Sequence, residues 1–166
     1  MKRLSLLALV VIAFVVSSFG QKISERYWGF KGMVDAGGII IPNHSAAGGE
    51  LTGSVGFQFN RYLFLGGGVG CYKLSDEDDF FVPVYANIRI NPLRPKVAPF
   101  ADVRIGFIAN DTEAAYVSAG GGVRWKNGKH PVTFGAYYSA LFRGFYDGSA
   151  VGSHYDGLVL RLGLEF

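Results

Sequence analysis

Arg89, Arg104, Arg124 and Arg161 each stand between two large hydrophobic residues, and Arg143 follows Phe142. Lys31, Asp35, Asp102 and Glu165 each adjoin at least one large hydrophobic residue. Cations and carboxylates scattered through greasy segments suit two kinds of chemistry. Paired with one another they form a buried ionic network, because an unpaired buried charge would be costly. Lining water, they would conduct ions. Gln58, Tyr85, Asn87 and Tyr137 are the polar residues best placed to extend such a network.

Other constellations are weaker. His44 follows Asn43 and precedes Ser45; Ser153 and His154 are adjacent, with Asp147 and Asp156 close by. A serine nucleophile needs a base in hydrogen-bond reach and an acid to orient that base. No triad spacing is present, and loop residues account for these positions. His130 stands beside Pro131 and reads as part of a turn. The run Ser75-Asp76-Glu77-Asp78-Asp79 is acidic enough to attract divalent cations, but it lacks the glycine and ligand spacing of an EF-hand. Cys71 is the only cysteine, which excludes an intrachain disulfide and a cysteine-based zinc site. No catalytic, cofactor-binding or metal-binding residue is assigned, and no cofactor is expected.

The elements that position these charges are strands. From Leu158 every second residue to the end is large and apolar: Leu158, Leu160, Leu162, Leu164 and Phe166, with Arg161 and Glu165 in the opposite phase. Period 2 is the signature of a strand with two unlike faces. Eight such segments follow one another: 27–41, 49–60, 62–74, 79–91, 97–109, 115–126, 131–143 and 155–166. No amphipathic helical period appears after residue 20. In 79–91, Phe80, Val82, Val84, Ala86, Ile88 and Ile90 oppose Tyr85, Asn87 and Arg89; in 97–109, Val103, Ile105 and Phe107 oppose Asp102 and Arg104. The charges thus share one face. Lys73 is the exception, in phase with Leu65, Val69 and Cys71, at a strand end where a lysine can snorkel.

Residues 1–20 read as a cleaved signal peptide, with Lys2 and Arg3, an apolar run, and Ser18-Phe19-Gly20 before Gln21. Its removal takes two of the sixteen basic residues and none of the thirteen acids, so the mature chain 21–166 is nearly neutral. There is no basic tract or nucleic-acid motif, and no nucleic-acid partner is expected. In an exported chain the greasy face can look outward at lipid. A charge facing mid-membrane costs about 2–4 kcal/mol in such a barrel, so all the charges point inward. A soluble, lipocalin-like barrel with its greasy face inward is the competing arrangement.

Connections alternate between tight turns (Asn60-Arg61, 92–96, 127–129) and loops at the other end (42–48, 75–78, 110–112, 144–154). On this topology Tyr27, Trp28, Phe57, Phe59, Tyr62 and Trp125, with Phe166, form an aromatic girdle at one rim, and Phe80, Phe107, Tyr138 and Phe142 lie near the other. Inward glycines at 66, 68, 70, 120 and 122 make room for large inward side chains.

The signal peptide, the eight-strand meander, the glycine-rich strands LFLGGGVG and VSAGGGVRW and the terminal Phe166 together resemble the small eight-stranded outer-membrane β-barrel family, OmpA/OmpX-like. The resemblance spans about residues 27–166. It implies insertion by the outer-membrane assembly machinery, with Leu164 and Phe166 as the assembly signal. Arg161 stands where the family favours glycine, so that match is partial. It also brings lipopolysaccharide and outer-membrane lipids as neighbours.

The expected fold is all-β: an eight-stranded antiparallel up-and-down transmembrane barrel in the outer membrane of a Gram-negative cell envelope. The expected role is structural or surface-interactive, through the outer loops, with a lumen filled by Lys31, Asp35, Gln58, Tyr85, Asn87, Arg89, Asp102, Arg104, Arg124, Tyr137, Arg143, Arg161 and Glu165. The alternatives are a narrow passive porin-like channel and a lipid A-modifying enzyme. No enzymatic activity is expected.

Overall fold

The computed structural model describes residues 29–41, 46–60, 62–75, 80–91, 96–126, 129–143 and 152–166. The predicted signal peptide, with Tyr27 and Trp28, lies outside them. Eight strands cover most of what is described: β1 Gly29–Ile41, β2 Ala46–Gln58, β3 Leu63–Leu74, β4 Phe80–Phe81 with Pro83–Ile90, β5 Val97–Ile108, β6 Asp111–Trp125, β7 Val132–Arg143 and β8 Gly152–Glu165. Val82 interrupts β4, where Pro83 has no N–H to give to a ladder.

Each strand pairs antiparallel with its neighbours in sequence, and β1 pairs with β8. The sheet therefore closes on itself and leaves no edge strand. Partners followed once around run Gly29, Gln58, Phe64, Arg89, Asp102, Gly120, Tyr137, Val159, and return to β1 at Ile39, ten residues further along. A stagger of that size tilts the strands by roughly 40° and leaves a bore that side chains just fill.

The polarity is the reverse of a water-soluble domain. Arg89, Arg104 and Arg161 are the largest fully buried side chains, while Leu51, Ile105, Phe134, Leu160 and Leu162 stand exposed on the outside. Alternation puts the two phases of each strand on opposite sides of the sheet, and here the charged residues of the lumen phase take the inside. Lys73 lies on the outward face near the loop rim, its ammonium 5.0 Å from the Phe80 ring.

Several expectations need correction. β2 begins at Ala46, because Ala46, Ala47 and Gly48 pair with Ile41, Ile40 and Ile39; the expected loop 42–48 shrinks accordingly. β6 starts at Asp111, where the ladder shifts register after Phe107, so the expected loop 110–112 becomes a tight turn. β8 begins at Gly152, three residues early. Pairing extended these strands into stretches whose turn-forming residues argue locally against a strand. Phe166 does not stand bare among the lipid-facing leucines. It is only 7 % exposed, and its ring fills the space that a Cβ on Gly32 would occupy. Backbone bonds of 2.8 and 2.9 Å join the two residues in both directions.

Candidate functional site

The bore is filled in tiers. At the rim where β1 begins and β8 ends, Glu165 accepts from Arg89 Nη1 at 3.3 Å and Arg124 Nε at 2.7 Å, with Lys31 Nζ at 4.0 Å. The Arg124 and Lys31 side chains are 20 % and 31 % exposed, so this end of the network meets solvent. Strand ends impose that position, since β1 and β6 both reach the rim there.

In the middle, Asp102 is shared. It accepts from Arg89 Nε at 2.7 Å through one oxygen and from Arg104 Nε at 3.1 Å through the other. Arg104 continues to Asp35 at 2.5 Å, to Thr52 at 2.9 Å and to the Tyr85 hydroxyl at 3.4 Å. Asn87 donates to Asp102 at 3.4 Å. Aromatic faces complete the packing: Arg89 lies 4.6 Å from the Phe100 ring centroid and Arg161 lies 4.1 Å from that of Tyr137. Guanidinium planes stack on rings in this way without losing their in-plane hydrogen bonds.

The next tier is built on Arg161. Its Nε donates to Glu50 Oε1, and its Nη2 reaches Glu50 Oε2 at 3.3 Å, the Tyr72 and Tyr116 hydroxyls at 3.2 Å each, and Ser139 at 3.3 Å. Tyr72 and Tyr116 are themselves bonded at 2.6 Å. Above this tier the chemistry changes. Ile39, Ile41, Leu74, Phe81, Ile108 and Leu141 close the loop end of the bore with an apolar collar. A cavity of about 10 Å³, roughly one water, lies between the collar and the two tyrosines.

Among the described residues the polar fill thus occupies the terminal and central parts of the bore, and hydrocarbon side chains gather at its loop end. Asp35, Gln58, Tyr85, Asn87, Arg89, Asp102, Arg104, Tyr137, Arg161 and Glu165 are all buried inside. Lys31 and Arg124 are half-buried at the terminal rim. Arg143 is in β7 by its backbone, but its side chain lies outside the described residues, as do those of Ser153 and His154. His44, Ser45, Asp147 and the acidic residues 76–79 also lie outside them, so the serine–histidine and cation-binding readings are untouched. Among the described residues no cluster of His, Cys, Asp and Glu is arranged to hold a metal. His130 is exposed beside buried Pro131.

Sequence reasoning missed Glu50, the partner of Arg161, and the apolar collar. Glu50 follows Gly48-Gly49 and was hidden at the edge of an expected loop; its phase with Thr52 and Ser54 was the available signal. In the terminal-rim girdle, Phe57 packs edge-on against Phe30 at 5.5 Å and Phe59 at 5.2 Å. Phe30 is therefore a further member, beside the exposed Phe59, Tyr62 and Trp125.

Three of the inward glycines lie against a large inward side chain. A Cβ on Gly66 would meet the Phe64 ring at 2.7 Å, one on Gly68 the Tyr85 ring at 2.6 Å, and one on Gly120 the Tyr137 ring at 2.7 Å. Ring-over-glycine pairs let this narrow bore hold tyrosine and arginine at once.

No protein-family model matches the chain, and no curated protein matches it. A solved structure described as "De novo design of transmembrane beta-barrels" is similar in fold, with a TM-score of 0.50 and 14% identity. The match covers 87% of this chain and 98% of that one. At that identity the likeness speaks for the closed antiparallel barrel alone.

Proposed function

We propose that this chain is an integral β-barrel of a bacterial outer membrane, with a structural or surface-interaction role and a closed lumen rather than a transport or catalytic one. The observation that carries the reading is the inverted polarity: arginines wholly buried in the bore, and a leucine- and phenylalanine-rich surface outside. In water that surface would be an aggregation liability, because large contiguous apolar patches mark contact with a partner or a membrane. In lipid it is the favourable arrangement. The similar fold among designed transmembrane barrels, and the signal-like residues 1–20, support the same reading. In this setting lipopolysaccharide, outer-membrane lipids and the outer-membrane assembly machinery are its partners, with surface contacts left to the loops.

The apolar collar favours a closed bore over the narrow passive channel. Ions leaving the arginine tiers would have to pass the hydrocarbon side chains that the described residues gather there.

Two measurements test the proposal. The protein should fold only with detergent or lipid, and should migrate differently on a gel before and after boiling; folding in plain buffer would overturn the membrane assignment. Reconstituted in a planar bilayer, it should give no discrete conductance steps; regular steps would establish the channel instead.

A further inference from the structure

Lys96, Lys126, Lys129 and His130 are all exposed at the terminal rim. The turns that carry them are neighbours: the Lys126 N–H donates to the Lys96 carbonyl at 2.7 Å, one residue beyond the Val97–Trp125 pair. Trp125 and Val97 are both outward-facing and more than half exposed. An indole thus stands on the greasy surface one rung from two exposed lysines.

The segments 59–62, 91–96 and 126–131, which connect strands at this rim, contain no Asp or Glu, and Arg61 and Arg94 add further cations in the sequence. Among the described residues the side-chain carboxylates nearest this rim, Glu165 and Asp102, are buried in the bore and held by arginines, while the α-carboxylate of Phe166 lies at the same rim. Among the described residues Asp111 and Asp156 stand toward the opposite rim. The described turns at the terminal rim thus carry lysines and a histidine and no acidic side chain.

We propose that the face formed by Lys96, Lys126 and Lys129 above Trp125 binds the headgroups of anionic phospholipids in the adjoining leaflet. The inference rests on the membrane reading above. Tryptophan settles at the boundary between hydrocarbon and headgroup, and lysines one or two residues beyond it stand at phosphate depth. Charge complementarity selects the occupant: a phosphodiester without a compensating ammonium attracts this cluster, whereas a zwitterionic headgroup is nearly neutral to it. The cluster would also bias which leaflet this rim adopts.

The test uses the full mature chain carrying Trp28→Phe, which leaves Trp125 as its tryptophan, refolded into phosphatidylcholine vesicles. Quenching of Trp125 is compared for acyl-brominated phosphatidylglycerol and acyl-brominated phosphatidylcholine at equal mole fraction. The expected result is a preference for phosphatidylglycerol of about threefold or more, which weakens as sodium chloride is raised. The preference should fall to parity in the K96Q/K126Q/K129Q variant, whose folding is checked by its heat-dependent gel shift. Equal quenching by the two lipids in the unsubstituted lysine background overturns the proposal while leaving the membrane reading intact. Quenching by neither lipid overturns both. Replacing chloride with inorganic phosphate at matched ionic strength separates the sources: a preference that persists supports a lipid headgroup, and one that vanishes points to a free-anion site and overturns the proposal.

Discussion

Arg161 and Glu50 are 111 residues apart in sequence and meet inside the barrel, although β8 and β2 are not neighbours. β1 lies between them, and it presents Gly37 to both partners in the ladders. A Cβ there would meet the Glu50 carboxylate at 2.9 Å, so the glycine leaves the space through which the pair joins. The contact ties the closing strand to the sheet beyond its own hydrogen-bonded neighbour.

Removing one partner leaves the other charge buried. Glu50→Ala is expected to lower stability by about 3–5 kcal/mol, with Arg161→Ala similar. A double E50L/R161L variant should lose less than either single change, because neither charge is then stranded. Urea unfolding of the barrel in detergent, in a double-mutant cycle, reads the coupling.

Asp102 should matter more than Glu165. Asp102 separates Arg89 from Arg104 and is fully buried, whereas Glu165 meets Arg124 and Lys31 at a rim open to solvent. Asp102→Ala should cost about 3–5 kcal/mol. Glu165→Ala should cost clearly less, because Lys31 and Arg124 reach water and Arg89 keeps Asp102. Equal losses in the same unfolding assay would contradict the tiered arrangement.

The glycines divide by what surrounds them. A Cβ on Gly106 would fall 1.9 Å from the Val84 carbonyl oxygen, and nothing lies within 4 Å of one on Gly53. Backbone cannot yield as a side-chain tip can. Gly106→Ala should therefore reduce refolding yield and cost about 1–3 kcal/mol. Gly53→Ala should be neutral or slightly stabilising, since it restricts the unfolded chain.

Leu160 distinguishes a lipid-facing surface from a wet one. It stands exposed at mid-strand on β8. Leu160→Arg should destabilise the barrel in vesicles by about 2–4 kcal/mol. On a barrel in water the same change would be harmless or would improve solubility. Folding free energies of the two proteins in vesicles decide between these.

Phe166 and Gly32 form the seam between the chain's last residue and its first described strand. Gly32→Ala would press a methyl into the Phe166 ring, whose nearest atom lies 2.2 Å from the Cβ position. The ring must swing away, at a cost of about 1–3 kcal/mol. Phe166→Ala in the Gly32→Ala background should then add little, whereas in the native background it should weaken closure by itself. Hydrogen exchange at the β1–β8 ladder reports the difference.

The two faces of each strand were legible from sequence because alternation is a property of the single extended chain. Asp102 and Arg104 point the same way whatever their neighbours do, and eight such segments with short connections leave few ways to close a sheet. The positions of Arg89 and Asn87 were readable on the same ground. Partners were not. Arg161 meets Glu50, rather than any nearer acid, through the ten-residue stagger of the closed sheet, which depends on every ladder together. The apolar collar escaped for a related reason. Ile39, Leu74, Phe81, Ile108 and Leu141 are hydrophobic residues in the polar phase of their own strands, and each alone looks like noise at a strand end. Only closure brings five strand ends to one height and turns them into a seal. Facing is set by the backbone's period of two, which sequence carries locally; pairing is set by register around the whole barrel, which exists only once the last strand meets the first.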